Sequence, residues 1–165
     1  MTSLSIKKTN INAIVLVLLS LISLVSPIAV HYFGLKGTEF LPIFFALSLG
    51  AYILNPIFLI TLAVVSPIIN YFLTNMPMPP TLYFLIFEGV VFASIISLLK
   101  NKNIPFVLLT LFAFVLARLS SVILIFFFDV SINTWFSGFI GSYKGIIVNF
   151  IFSMSMYFIF REKQY

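Results

Sequence analysis

The chain has 165 residues, 62% hydrophobic and 8% charged, with a mean hydropathy of +1.21, where a soluble domain carries about 25% charged residues. That composition excludes a water-soluble domain and reads as an integral membrane protein, with room for about six crossings of about 20 residues and none for a separate soluble domain. The net charge of +5 falls at segment ends rather than in one stripe, which excludes nucleic acid as a partner, and the absence of cysteine excludes disulfides, thiolate chemistry and Cys-ligated metals.

The first predicted span covers residues 11–33. Lys7 and Lys8 before it imitate a secretory signal, but the apolar run exceeds the about 7–15 residues of such a signal and has no small-x-small cleavage site, so it reads as a retained helix. Gly34 closes it, and a polar connection follows through Lys36 and Glu39. No charge occurs between Glu39 and Glu88, a stretch too long for one crossing. The Asn55-Pro56 step divides it, because proline removes a backbone donor and biases the residue before it away from helix. A short second span is thus expected at 40–54 and a third at 57–73.

Pro77, Pro79 and Pro80 bar regular helix from 74–80, which is expected as an ordered loop or polyproline-like turn. The fourth span covers 81–99 and stops at Lys100-Asn101-Lys102-Asn103. The fifth covers 105–128, and a loop over 129–137 leads into a sixth at 138–160. The expectation is an all-α integral membrane protein, one domain of six transmembrane helices over 1–165. Lys7, Lys8, Lys100, Lys102, Arg161 and Lys163 then share the side of the termini, against Lys36 alone on the other. The positive-inside rule puts the N- and C-termini in the cytoplasm.

Three charges sit inside these apolar stretches, and a charge in hydrocarbon is retained where it faces protein, water or a ligand. At 1.5 Å per residue, Glu88 lies roughly 10 Å, Arg118 roughly 15 Å and Lys144 roughly 9 Å from the outer ends of their helices. All three are expected in the outer half, lining one cavity if their helices face each other. Two readings stand for Glu88 and Arg118: a structural ion pair, or a substrate site. Two stand for Lys144: a ligand contact, or a side chain snorkelling to the interface. On the functional reading, two cations and one anion leave one positive charge over, which suits a carboxylate or phosphate on the substrate, with Arg118 as a bidentate partner.

Asn70 and Tyr71 at the end of span three, Asn149 beyond Lys144, and Trp135 and Tyr143 near the outer surface complete the candidate substrate site. Tryptophan and tyrosine taken singly also serve as interfacial anchors. Asn149, about 16 Å down its span by helical rise, requires a partner on another helix or a ligand. His31 has no second histidine or cysteine to form a metal set. No nucleophile-and-base arrangement and no phosphate-binding loop occurs, so the chain reads as neither an enzyme nor an ATPase, and no cofactor is expected.

From the second span onward the motifs follow an order: Phe40-Leu41-Pro42-Ile43, Leu49-Gly50-Ala51, Ser66-Pro67-Ile68-Ile69-Asn70-Tyr71-Phe72-Leu73-Thr74-Asn75-Met76-Pro77, Leu85-Ile86-Phe87-Glu88-Gly89, Ala117-Arg118, and Gly141-Ser142-Tyr143-Lys144-Gly145-Ile146-Ile147-Val148-Asn149. That order, its spacing and the six-span count resemble the substrate-binding S component of energy-coupling factor (ECF) vitamin transporters. Relatives often carry Gly where this chain has Asn75, and Pro and Gln where it has Lys144 and Asn149.

The resemblance implies a multi-pass protein of a prokaryotic cell membrane, surrounded by lipid. Such a protein takes a vitamin or related small nutrient from outside and docks on a membrane coupling subunit bound to two ATPase subunits. A small ion-coupled secondary transporter is the alternative, although residues 1–80 and 81–165 show no matching repeat. The isolated chain is expected to be a monomer.

Overall fold

The structure, a computed structural model, describes residues 2–35, 37–102 and 104–161. Lys36, Asn103 and Lys163, which figure in the sequence reading, lie outside them, as do the side chains of residues 1–8, 38 and 160–161, among them Lys7, Lys8 and Arg161. About 85% of the described residues are helical. In order come α1 (Thr2–Tyr32), α2 (Gly37–Phe40), α3 (Ile43–Ile53), α4 (Pro56–Thr74), α5 (Thr81–Leu99), α6 (Phe106–Ser120), one 3-10 turn (Ser121–Leu124), α7 (Ile125–Phe128), α8 (Ile132–Gly141) and α9 (Tyr143–Arg161).

Among the described residues, four segments are long and apolar enough to cross a membrane: Thr9–Tyr32, Pro56–Thr74, Thr81–Leu99 and Phe106–Phe128. The α8–α9 pair, bent by 41°, makes a fifth if it counts as one span. The expected six is therefore met by four or five. The shortfall is α3, whose 11 residues are about half of what a full crossing needs.

The breaks follow from local chemistry. Asn55 is extended and caps α4, its side-chain oxygen accepting from Phe58 N–H at 3.2 Å, with Pro56 at the first helical position where its missing donor costs nothing. The Asn12 side chain takes the Asn55 N–H at 3.2 Å, pinning α1 to the same turn. At the far end of α4, Asn75 adopts the left-handed conformation (φ 56°) and its N–H closes on Tyr71 O, so the proline-rich segment leaves the helix as expected.

Three expected boundaries move. The second span starts at Ile43, because Phe40 ends the separate α2 and the chain turns through Leu41, held at φ +49°, and Pro42. Ser26 of α1 donates to Pro42 O at 3.1 Å and fixes this turn. The loop expected over 129–137 becomes α8 from Ile132 on, since the Ser131 hydroxyl accepts from Thr134 N–H at 3.1 Å as an N-cap. The sixth span is not continuous from 138: residues up to Gly141 belong to α8, and the axis changes at Ser142, whose hydroxyl donates to Phe139 O.

Successive long segments run in alternating directions between two poles. At one pole, Asn12 of α1 meets Asn55, and Lys100, just past α5, donates through Nζ to Ala51 O near the end of α3 at 3.0 Å. Burial pushes the Lys100 ammonium below its usual value. At the other pole α1, α4 and α6 end while α3 and α5 begin. The core lies between, where Phe44 of α3 meets Phe92 of α5 and Phe114 of α6 edge to face, at ring centroids of 5.8 and 4.7 Å. Leu47, Leu62, Ala63, Ala93 and Ile96 close around them.

A polar seam joins α3 to α9. Ser48 donates to Asn149 Oδ1 at 3.5 Å, and one turn lower Tyr52 donates to Ser153 O at 2.7 Å, with the Ser153 and Thr110 hydroxyls 2.7 Å apart. Without a hydrophobic drive between helices in lipid, such bonds and close packing carry the association. Above the seam, a Cβ on Gly145 of α9 would stand 2.7 Å from Glu39 O and 2.9 Å from Phe40 C and O of α2. Only glycine lets the α2 backbone rest there. Gly145→Ala is expected to lower stability by about 1–3 kcal/mol, read as a lower thermal midpoint in detergent, whereas Gly141→Ala, where a Cβ meets nothing within 4 Å, leaves the midpoint in place.

Candidate ligand-binding site

At the pole where α3 and α5 begin, a cavity of about 1340 Å³ opens. Its walls are the last turns of α1, α4 and α6, the first turns of α3 and α5, the proline-rich loop and α8. Proline at 77 and 80 and methionine at 76 and 78 contribute one side, and the Leu41-Pro42-Ile43 turn another.

The wall's charge comes from two helices. Glu88 on α5 is fully buried (0% exposed), and Nη1 of Arg118 on α6, whose side chain is 13% exposed, lies 2.8 Å from both of its carboxylate oxygens. The second amino group, Nη2, donates to Gly138 O of α8 at 3.2 Å. One guanidinium thereby joins α5, α6 and α8. The chain after Arg118 tightens because the Ser120 and Ser121 hydroxyls donate back to the carbonyls three residues earlier, at 2.8 and 2.7 Å, in competition with α-helical bonding. Ser121 Oγ also accepts from Trp135 Nε1 at 3.1 Å, and the indole stacks on Phe139 at 5.6 Å.

Asn70 stands on the opposite wall. Pro27 in α1 has no N–H, so Ser23 O has no donor one turn further along its own helix. The Asn70 amide supplies one across the helix interface, Nδ2 donating to Ser23 O at 3.1 Å and to Ser66 O at 2.9 Å. Asn70 Oδ1, the Ser23 and Ser66 hydroxyls and Arg118 Nε are buried with no hydrogen-bond partner in the protein.

Glu88, Arg118, Asn70 and Trp135 thus converge on one cavity, and four other expected site residues do not. Lys144 pairs with Glu39 of α2 at 2.7 Å with its side chain 43% exposed, because α2 rests on α9 at Gly145. Asn149 is buried in the α3–α9 seam, with Nδ2 on Gly145 O at 2.8 Å. Tyr71 lies outside the cavity, edge-on to Phe72. Tyr143 is exposed, its ring 6.0 Å from the Lys144 ammonium.

The count of one positive charge left over is corrected accordingly: Glu39 neutralises Lys144 as Glu88 neutralises Arg118. Wall residues the sequence reading did not select include His31, Thr74, Thr134 and the Leu41-Pro42-Ile43 turn. For Thr134 the readable signal was its place three residues after a capping serine. No protein-family model, curated protein or solved structure matches the chain.

Removing one member of a buried pair strands the other, at a cost of about 3–5 kcal/mol. Arg118→Ala should therefore lower the thermal midpoint sharply, and Glu88→Gln combined with Arg118→Ala should restore part of it, both measured in detergent. Equal losses in the single and double variants would show that the pair is not what stabilises this end.

Proposed function

We propose that the chain is the membrane-embedded substrate-binding subunit of an importer of the energy-coupling factor type, which captures a vitamin-like small nutrient at the outer face of a cell membrane. The observation that carries this reading is the cavity: a ligand-sized recess at one pole of an alternating helical bundle, with the Glu88–Arg118 pair in its wall and Asn70 and Trp135 on facing elements. Concave, mostly apolar sites with a few fixed polar groups between helices are where small molecules bind.

In this reading α3 counts as a short crossing and α8–α9 as a bent one, which makes six, with both termini in the cytoplasm and the cavity facing outward. Lys100 and Lys102, just past α5, belong to the pole opposite the cavity, and the positive-inside rule puts such a pole in the cytoplasm. The chain holds no phosphate-binding loop. Energy is then supplied by a coupling membrane subunit and two ATPases docked on the helices.

Trp135 is the single tryptophan of the chain and lines the cavity, so its emission reports occupancy directly. Small molecules that co-purify with the chain, identified by mass spectrometry and added back to stripped protein, should change Trp135 fluorescence saturably. In proteoliposomes their uptake should require ATP and added coupling and ATPase subunits. Uptake by the purified chain alone under a proton or sodium gradient would instead make it a secondary transporter.

A further inference from the structure

We infer that the ligand of this cavity carries a planar heteroaromatic ring, which lies against the indole of Trp135 and turns a hydrogen-bond acceptor toward Arg118. The inference rests on the reading that the cavity receives a small nutrient, and it names the chemistry of that nutrient.

Trp135 is a fixed surface. Its Nε1 donates to Ser121 Oγ at 3.1 Å, and its ring stacks on Phe139 with centroids 5.6 Å apart and planes 19° from parallel. Trp135 belongs to the cavity lining and Phe139 does not, so the indole is held from behind. With the side chain already ordered, a ring laid on it costs the protein little further entropy, and aromatic pairs gain from stacking beyond the area they bury.

Arg118 stands beside this surface. Gly138, whose carbonyl accepts from Arg118 Nη2 at 3.2 Å, lies three residues after Trp135 on α8, so indole and guanidinium meet the same side of that helix, and both line the cavity. A guanidinium carries five N–H groups. Those of Nη1 go to Glu88 and one of Nη2 goes to Gly138 O, while Nε is buried with no partner among the described residues. A buried donor without an acceptor costs free energy, which an acceptor on the ligand restores.

An aliphatic molecule gains only area on the indole and leaves that donor bare. A heteroaromatic ring meets both demands, because its ring nitrogen or exocyclic carbonyl lies at the edge, in the plane, while its face stays apolar. The remaining wall suits such a body. Ile28, Ile43, Phe84 and Leu85 are apolar, and Met76 and Met78 bring thioethers that pack well at ring edges.

The test uses the whole chain, purified in detergent, freed of bound molecules and incubated with a small-molecule extract of yeast. Unbound material is removed by size exclusion, and retained molecules are identified by mass spectrometry. The expected result is saturable retention of molecules with a heteroaromatic ring, each of which quenches Trp135 emission when added back. Retention only of molecules without such a ring overturns the inference and leaves the binding function standing, as does a retained heteroaromatic that leaves Trp135 emission unchanged. No retention at all overturns both.

Two variants give an independent readout. Trp135→Phe keeps a flat ring and Trp135→Leu does not. The dissociation constant of the retained molecule, from equilibrium dialysis, should rise about ten-fold in Trp135→Leu and less than about three-fold in Trp135→Phe. Equal changes in the two, at thermal midpoints like that of the unaltered protein, would show that stacking does not select the ligand and would overturn the inference. Should a variant fail to fold, the emission of the unaltered chain decides alone.

Discussion

A carboxylate with no exposure to solvent cannot stand alone inside a bundle of apolar helices, and Glu88 imposes that demand on everything around it. Arg118 answers it from the neighbouring helix, and because a guanidinium presents donors in a rigid planar fork, satisfying Glu88 fixes where the remaining amino group points. It points at Gly138 O. Register between α5 and α6, the position of α8 and, through Ser121, the orientation of Trp135 therefore descend from one buried negative charge. The cavity wall beside the pair inherits its shape from the same source.

The other polar contacts obey the same rule at lower stakes. Backbone groups in an apolar surrounding need partners, and proline in a helix leaves one carbonyl without its donor. Asn70 meets that need for α1 at Ser23, which ties the least buried of the four long apolar segments to α4. On the other flank the Ser48–Asn149 and Tyr52–Ser153 contacts do for α3 and α9 what leucines do in a soluble bundle. Glycine sets the distances: Gly145 lets α2 settle against α9, and Gly89 lets α5 approach Ala63 of α4.

Long elements were legible because hydropathy and chain punctuation act locally. Asn55-Pro56 divided one uncharged stretch correctly, and the three prolines after α4 marked a loop, since each effect involves a residue and its near neighbours. Glu88 and Arg118 were legible as partners because an isolated charge at that depth has few alternatives. Lys144 was not, because its partner Glu39 lies 105 positions away on a short helix whose docking depends on a missing side chain at Gly145. Asn149 was correctly expected to need a partner, but a serine on another helix and a ligand are indistinguishable without coordinates. The helix α8 was missed because its turn signals, Asp129 and Ser131, mark the start of a helix as readily as a loop.

The brevity of α3 has a geometric sequel. Eleven residues rise about 16 Å, roughly half the thickness of a hydrocarbon layer. A neighbour such as α4, at 19 residues, fills its column, and α3 leaves the upper part of its own column vacant. The Leu41-Pro42-Ile43 turn forms the floor of that vacancy, so the recess is the volume a full-length helix would have occupied. Two more helical turns inserted ahead of Ile43 would plug the recess with protein and leave a solid bundle.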